Sequence, residues 1–592
     1  MRISTTRKLT ALVTMLASFL PFMAGGADTK PARAAGTVLQ EVLTDYEKFA
    51  KRIDPIAAGQ RGDLEALAKW PDNSPEAVAE NLRLLQAMRT QLVALADAKL
   101  SDEEALNRDL LRERVELDLA GLPFDEERIP FNTGDGFFTV PNYAADGVVL
   151  RSEPQARAWI AKLAAVPAYY AIETANMRRG GQTGFVRPRL VVERNARALQ
   201  ARAAQPAERN ALLKPINALP ATMPEALRQS LQAEAVEIVR SKILPAEKAL
   251  ADFFQSEYLP RASASIGIGE QPDGKNYYRY LIRRHTSTNL TPEEIHKIGL
   301  AEVARIREEM LAVMAEIGFK GSIAEFVAQL RTDKRFIAAS TGEYVEKVRD
   351  LAKRADAKLP TFFRTLPRLT YGVRVLAPEL KDSSSGYNPG SPEQGIAGFI
   401  LVNPGPVDQS PLYGMPAWAL HEGVPGHHLQ IALAQERTDL PVFRRNSDIN
   451  AYVEGWALYS ERLGIEMGMY RTPYEHFGRL SLEIWRASRL VIDTGMHVMG
   501  WTREQAVAYL RENTALSELF LNYEVDRYIG WPAQALGYKL GEIRIRQLRA
   551  RAEKELGPKF DLRAFHDAVL LPGPMPLDLL ERQIDRWIKA SK

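Results

Sequence analysis

The stretch Pro416-Ala417-Trp418-Ala419-Leu420-His421-Glu422-Gly423-Val424-Pro425-Gly426-His427-His428-Leu429-Gln430-Ile431-Ala432-Leu433 decides the reading of this chain. Both flanks are apolar enough to be helical, and the middle holds three of the eight histidines in the sequence. Histidine is the commonest side-chain ligand for transition metals. A carboxylate directly after the first imidazole is the arrangement by which a zinc hydrolase activates water. The stretch predicts two helices with a metallohydrolase site at the break between them. On a regular helix two histidines share an ion most easily at a spacing of four, ~6 Å along the axis. The fourth residue after His421 is Pro425. His427 lies about 120° around from His421, and His428 returns to its face but ~10 Å further along. Pro425 and Gly426 supply a bulge or distortion that brings one of them back; spacing alone leaves His427 and His428 as alternatives.

A catalytic zinc site needs a third protein ligand and an open position for water. Downstream stands Tyr452-Val453-Glu454-Gly455-Trp456-Ala457-Leu458-Tyr459-Ser460-Glu461. Glu454 follows at a distance that allows a loop and a returning helix. Glu461, seven residues further, shares its helical face and suits the orientation of a ligand from behind. The bland reading of both is a solvated helix face. Further on, Arg527, Tyr528, Gln534, Tyr538 and Lys539 cluster within one motif. A phenol can donate to the oxyanion of an acyl-transfer intermediate, which makes Tyr528 and Tyr538 candidate catalytic groups. Arg527, Gln534 and Lys539 are candidates for gripping substrate. Trp485, Arg489, Asp493 and His497 recur at steps of four along one helical face. They form either a structural Arg489–Asp493–His497 network or a pocket wall with His497 touching substrate.

Elsewhere most of the chain reads as helix. From Pro75 to Leu100, residues Val78, Leu82, Leu85, Met88, Leu92 and Leu95 make an apolar stripe. Capping boxes stand at Ser101-Asp102-Glu103-Glu104, Thr291-Pro292-Glu293-Glu294 and Thr502-Arg503-Glu504-Gln505. Strand signal is scarce and strongest at Gly398 to Asn403. That strand suits either an edge pairing with an extended peptide or a packing element of a small sheet. The segment Tyr387-Asn388-Pro389-Gly390 is expected as a loop over the cleft.

The chain has 592 residues and a net charge of only +3. Its length calls for more than one ordinary core, and its charge balance gives no reason to expect nucleic acid as a partner. Arg2, Arg7 and Lys8 precede an apolar run from Leu9 to Met23 and then small residues, the order of a cleaved secretory signal. Periplasmic or secreted placement is expected, with no membrane segment after cleavage. There is no cysteine, so disulfides are excluded and any metal site must use nitrogen and oxygen ligands. The expected organisation is a signal peptide over 1–35, an N-terminal helical lobe over 36–270 and a catalytic lobe over 271–592, divided near Ile266 to Gly274.

The block His421-Glu422-x-x-Pro425-Gly426-His427 with Glu454-Gly455-Trp456-Ala457 resembles the bacterial DUF885 family, grouped with gluzincin-type metallopeptidases. Thr291 to His296, Asp493 to His497 and Arg527 to Leu536 extend the likeness. The resemblance implies a large helical, zincin-like fold with two lobes around a deep cleft and a small β-sheet near the site. It selects His427 over His428, implies one zinc ion held by His421, His427 and Glu454, and gives Glu422 the part of general base. The function expected is a peptidase of carboxypeptidase or oligopeptidase type acting on short peptides. An amidase on modified amino-acid conjugates and an inactive periplasmic binding protein are the alternatives.

Overall fold

The computed structural model describes residues 34–376, 385–403, 405 and 410–592. The signal segment expected over 1–35 lies outside them but for Ala34 and Ala35, the latter opening the first helix. The chain is mainly helical, from Ala35–Ile53 to Leu577–Ser591, with one three-stranded sheet. All three capping boxes form, each hydroxyl accepting the N3 amide while the N3 side chain returns to the cap amide. In the Pro75–Ala94 helix the stripe buries Leu85, Met88 and Leu92, whereas Leu82 stays exposed.

The helix Pro473–Val498 is buried along most of its length and packs beside Pro292–Ile317. Asn450–Glu466 packs beside Gly537–Leu556. That second pair meets backbone to backbone. A Cβ on Gly455 would stand 2.6 Å from the Gly541 Cα, and one on Gly541 only 1.9 Å from the Ala451 carbonyl oxygen. The two glycines therefore set how closely the helix carrying Glu454 approaches the helix carrying Tyr538.

Strand Gly398–Val402 (β3) lies in the middle of its sheet, parallel to Tyr371–Val375 (β1) and antiparallel to Gly386–Asn388 (β2). The edge-strand reading of β3 is thereby corrected: both its sides are taken, and no extended peptide can pair with it. Tyr387 and Asn388 are part of β2, not of a loop. Around the expected division at Ile266 to Gly274, the chain makes a short 3-10 turn and enters the Gly274–Thr286 helix. The largest apolar core crosses that point, joining Phe131, Trp159 and Tyr258 to Trp485, Ile492 and Ile529. Among the described residues no helix is long and apolar enough to cross a membrane.

Candidate metal centre

The histidine motif is a full break between two helices, not a bulge within one. The first helix, Met415–Glu422, stops at Gly423 (φ −96°, ψ −125°); Gly426 (φ −76°, ψ −128°) caps the second, His427–Glu436. The Gly426 amide donates to the Leu420 carbonyl at 3.0 Å and the His428 amide to that of Gly423 at 3.1 Å. A Cβ on Gly426 would fall 2.0 Å from the His421 carbonyl oxygen, so no other residue fits there. The Trp456 indole donates to the Pro425 carbonyl at 2.8 Å, fastening the break to the helix that carries Glu454. The His421 and His427 rings then meet edge to face, centroids 4.7 Å apart.

His421, His427 and Glu454 each present a ligand atom within 4.8 Å of the others, the one such group among the described residues. The Glu454 Oε2 lies 3.4 Å from the Nε2 of both histidines. A direct charge-assisted N–H···O bond would be ~2.7–2.9 Å long. Tetrahedral ligands ~2.0–2.1 Å from zinc stand ~3.3–3.4 Å from one another. The two separations match the edges of a shared coordination shell, and Glu454 Oε2 is buried without a hydrogen-bond partner. The residues therefore fit zinc. Behind His421, Nδ1 meets Glu461 Oε1 at 2.8 Å, leaving Nε2 for the ion; this carboxylate–imidazole pair fixes the ring and raises its basicity. Arg486 Nη2 stands 3.7 Å from the same Glu461 oxygen. His427 Nδ1 is buried with no partner.

Burial works against charge on His421, but Glu454, Glu461 and the nearby Glu422 outweigh it and hold its pKa at about 9. Burial equally opposes charge on Glu454, yet the two imidazoles keep that carboxyl well below the usual range. A divalent cation would displace the imidazole protons from such a cluster. Burial raises the Glu422 carboxyl above its ordinary value, the histidines and Arg486 pulling the other way. A carboxylate moved towards neutrality is the better proton shuttle.

The remaining candidates divide. His428 is turned away, between the Tyr387 hydroxyl (2.8 Å) and the Leu369 carbonyl (3.0 Å), and is no ligand. His497 does not line a pocket: its Nδ1 accepts from the Ile268 amide at 3.2 Å and its Nε2 faces the Tyr528 carbonyl at 3.0 Å. Burial pushes its pKa to about 4. Lys539 is fully buried against Glu302, Glu483 and Glu542, so the substrate-binding reading of both residues is corrected. The Tyr528 hydroxyl accepts from Arg489 Nε (2.8 Å) and Trp485 Nε1 (3.0 Å) and gives its proton to Glu524, leaving none for an oxyanion. The Arg489–Asp493–His497 network does not form; Asp493 instead accepts from the Tyr278 hydroxyl and the Ala533 amide.

Tyr538 stays with the site. Burial and the Glu454 charge raise its phenol, while Arg527, Arg489 and a hydrogen bond with Gln534 oppose the shift. The Arg489 guanidinium lies 4.3 Å over its ring. Arg527 bonds Gln534 at 2.7 Å, and Gln534 reaches Asn450 at 3.1 Å, one turn before Glu454. Glu454, Asp448, Asn450 and Gln534 line part of a cavity of about 1290 Å³. Sequence reasoning missed Arg486, Asp448 and Asn450. Arg486 had a signal, a third arginine with Arg479 and Arg489 on a helix otherwise rich in apolar residues; Asp448 and Asn450 had none.

The chain belongs to the DUF885 family, described as bacterial protein of unknown function, whose model matches residues 55–584. A crystal structure of a candidate lipoprotein from Colwellia psychrerythraea is 27% identical, covers 94% of this chain and 100% of its own, and superposes with a TM-score of 0.88. A candidate lipoprotein of unknown function from Shewanella oneidensis shares the fold at 17% identity and a TM-score of 0.68, over 93% of this chain and 99% of its own. No curated protein matches the sequence.

Proposed function

We propose that this DUF885 chain is an exported, zinc-dependent hydrolase of amide bonds in short peptides. The reading rests on one observation: Glu454 Oε2 stands 3.4 Å from two imidazole nitrogens, longer than charge-assisted hydrogen bonds and spaced as co-ligands. Glu422, next to the first ligand, is the general base. His421, His427 and Glu454 would hold the ion, which would supply Lewis-acid polarisation of water and of the scissile carbonyl. Glu422 takes a proton from the attacking water and returns it to the departing amine nitrogen. Tyr538 donates its hydroxyl to the oxyanion, its ring held under Arg489, and the buried Arg486 adds positive field. Arg527 and Gln534 orient the substrate beside them. The gluzincin-like relationship and the two-lobed cleft belong to this reading, as does export, which the charged-apolar-small order of the first residues favours. A concave site of about 1290 Å³ favours short chains over folded proteins.

The test is Glu422→Gln. Turnover of a short-peptide mixture, followed by mass spectrometry, should fall about 10²–10⁴-fold while one zinc per chain is retained. Unchanged turnover would discard the mechanism. Chelator-sensitive cleavage of acylated amino acids but not of peptides would move the substrate to the amidase class.

A further inference from the structure

The large cavity holds cations other than those of the metal centre. Lys51, Arg114, Arg283, Arg284 and Arg444 each have a carboxylate within 3.2 Å. Arg61 sits on the exposed rim. Arg187 differs from all of these. Its Nη1 donates to the Gly530 carbonyl and its Nη2 to the Ile129 carbonyl, both at 3.1 Å. Its Nε is buried with no partner, and no described carboxylate forms an ion pair with it. Glu126, the acid whose charge acts on it, is already engaged by Arg284 at 2.7 Å and by the Tyr277 hydroxyl at 2.8 Å. The guanidinium also lies 6.0 Å over the Phe131 ring, and burial draws its pKa below the ordinary value against the opposing pull of Tyr277, Tyr258 and Glu126. A half-buried cation with no carboxylate partner is stabilised by a ligand that supplies the counter-charge.

The two backbone contacts fix the orientation of the guanidinium and leave N–H groups unused, a fork suited to a planar carboxylate. One contact, Gly530, begins the Gly530–Gln534 turn. At the other end the Gln534 carbonyl accepts from Asn450 at 2.8 Å, one helical turn before Glu454. Arg187 and Glu454 thus line one cavity and are joined by one short turn.

We infer that Arg187 is the anchor for a substrate carboxylate, in the cavity that Glu454 also lines. This rests on the hydrolase reading for the word substrate, and it narrows that reading to peptides released in short pieces from a free C-terminus or carrying an acidic side chain near it. Neutral, amidated chains are poor ligands.

The test is calorimetric binding to the zinc-loaded Glu422→Gln protein, in which turnover is blocked. The probes are tetra-alanine with a free C-terminus, the same peptide as its C-terminal amide, and the amide carrying one aspartate. The free acid should bind at least tenfold tighter than its amide. Arg187→Gln should erase the difference and Arg187→Lys keep part of it, with melting curves showing that both variants fold. Recovery of affinity by the aspartate peptide shows that an acidic side chain serves the anchor as well as the C-terminus does; failure to recover confines it to the C-terminus. Equal binding of acid and amide, or a preference that survives Arg187→Gln, overturns the anchor. If the acid binds selectively but the unmodified enzyme cleaves nothing, the anchor stands and the hydrolase falls.

Discussion

Tyr538 and Lys539 are neighbours in sequence and belong to two different buried charge clusters. Around Lys539, Nζ meets Glu302, Glu483 and Glu542 at 3.0, 2.8 and 2.9 Å, and Glu483 also accepts from Arg305 and Arg479 at 2.5 Å. Each proton of the ammonium has an acceptor. Around Glu454, beside Tyr538, an oxygen faces two imidazoles at a distance longer than a charge-assisted hydrogen bond. Both clusters are buried, charged and helical. In the closed one Lys539 has no proton left for anything else, and the cluster holds the helices Pro292–Ile317, Pro473–Val498 and Gly537–Leu556 together. The open one keeps a free valence, which in a buried site marks a place made for a ligand.

The largest effects should separate the two. Lys539→Met leaves three carboxylates facing one another without their cation and should cost about 3–5 kcal/mol of stability by chemical denaturation. The zinc content of the protein that remains folded should be unchanged. His427→Ala should do the reverse, reducing bound zinc to background by elemental analysis while the variant melts where the metal-free parent does. Loss of zinc on Lys539→Met would dissolve the distinction.

The open cluster was legible in the sequence because its parts are local. Two ligands and the base lie within seven residues of one another, and Glu461 lies seven residues beyond Glu454, on its helical face. The closed cluster was not legible, and Lys539 was read as a substrate group. Its counter-charges come from Glu302 and Glu483, far away in the chain, and no motif announces which lysine they will meet. His497 and Tyr528 were misread for much the same reason: Ile268, Trp485 and Arg489 reach them only by packing, although Glu524, which takes the Tyr528 proton, stands one turn earlier on its own helix. The edge reading of β3 failed because its partners carry almost no strand pattern, β2 being three residues long. The capping boxes and apolar stripes, being periodic and local, announced the helices plainly.

Asp493 stands between the two kinds of cluster. One oxygen accepts from Tyr278 (2.5 Å) and the Ala533 amide (3.0 Å); the other is buried with no partner. Burial lifts its pKa to about 7, overriding those hydrogen bonds and Arg489. A folded pKa above the unfolded one means that the protonated form is favoured by folding. The stability it contributes is full below about pH 4 and is lost as pH rises through about 7. Asparagine keeps the accepting oxygen and removes the charge. Asp493→Asn should therefore match the parent in urea at pH 4 and exceed it at pH 8 by roughly 2–4 kcal/mol. A constant difference across that range would mean that the carboxyl is not held protonated.

The smallest effect probes the open cluster from behind. Glu461 accepts from His421 Nδ1 at 2.8 Å and stands 3.7 Å from Arg486. Glutamine can still accept that proton, so ring orientation survives, but the charge that makes the imidazole a stronger ligand is gone. Zinc affinity, measured by competition with a chelator, should fall about 10–100-fold in Glu461→Gln, with the fold intact. Glu542→Gln makes the matching change in the closed cluster, at a carboxylate equally buried and on the helix that carries Tyr538. It should leave zinc affinity where it was and lower stability instead. Equal weakening of zinc by both would show that the ion senses the total buried charge, and the contrast between spare and saturated valence would lose its meaning.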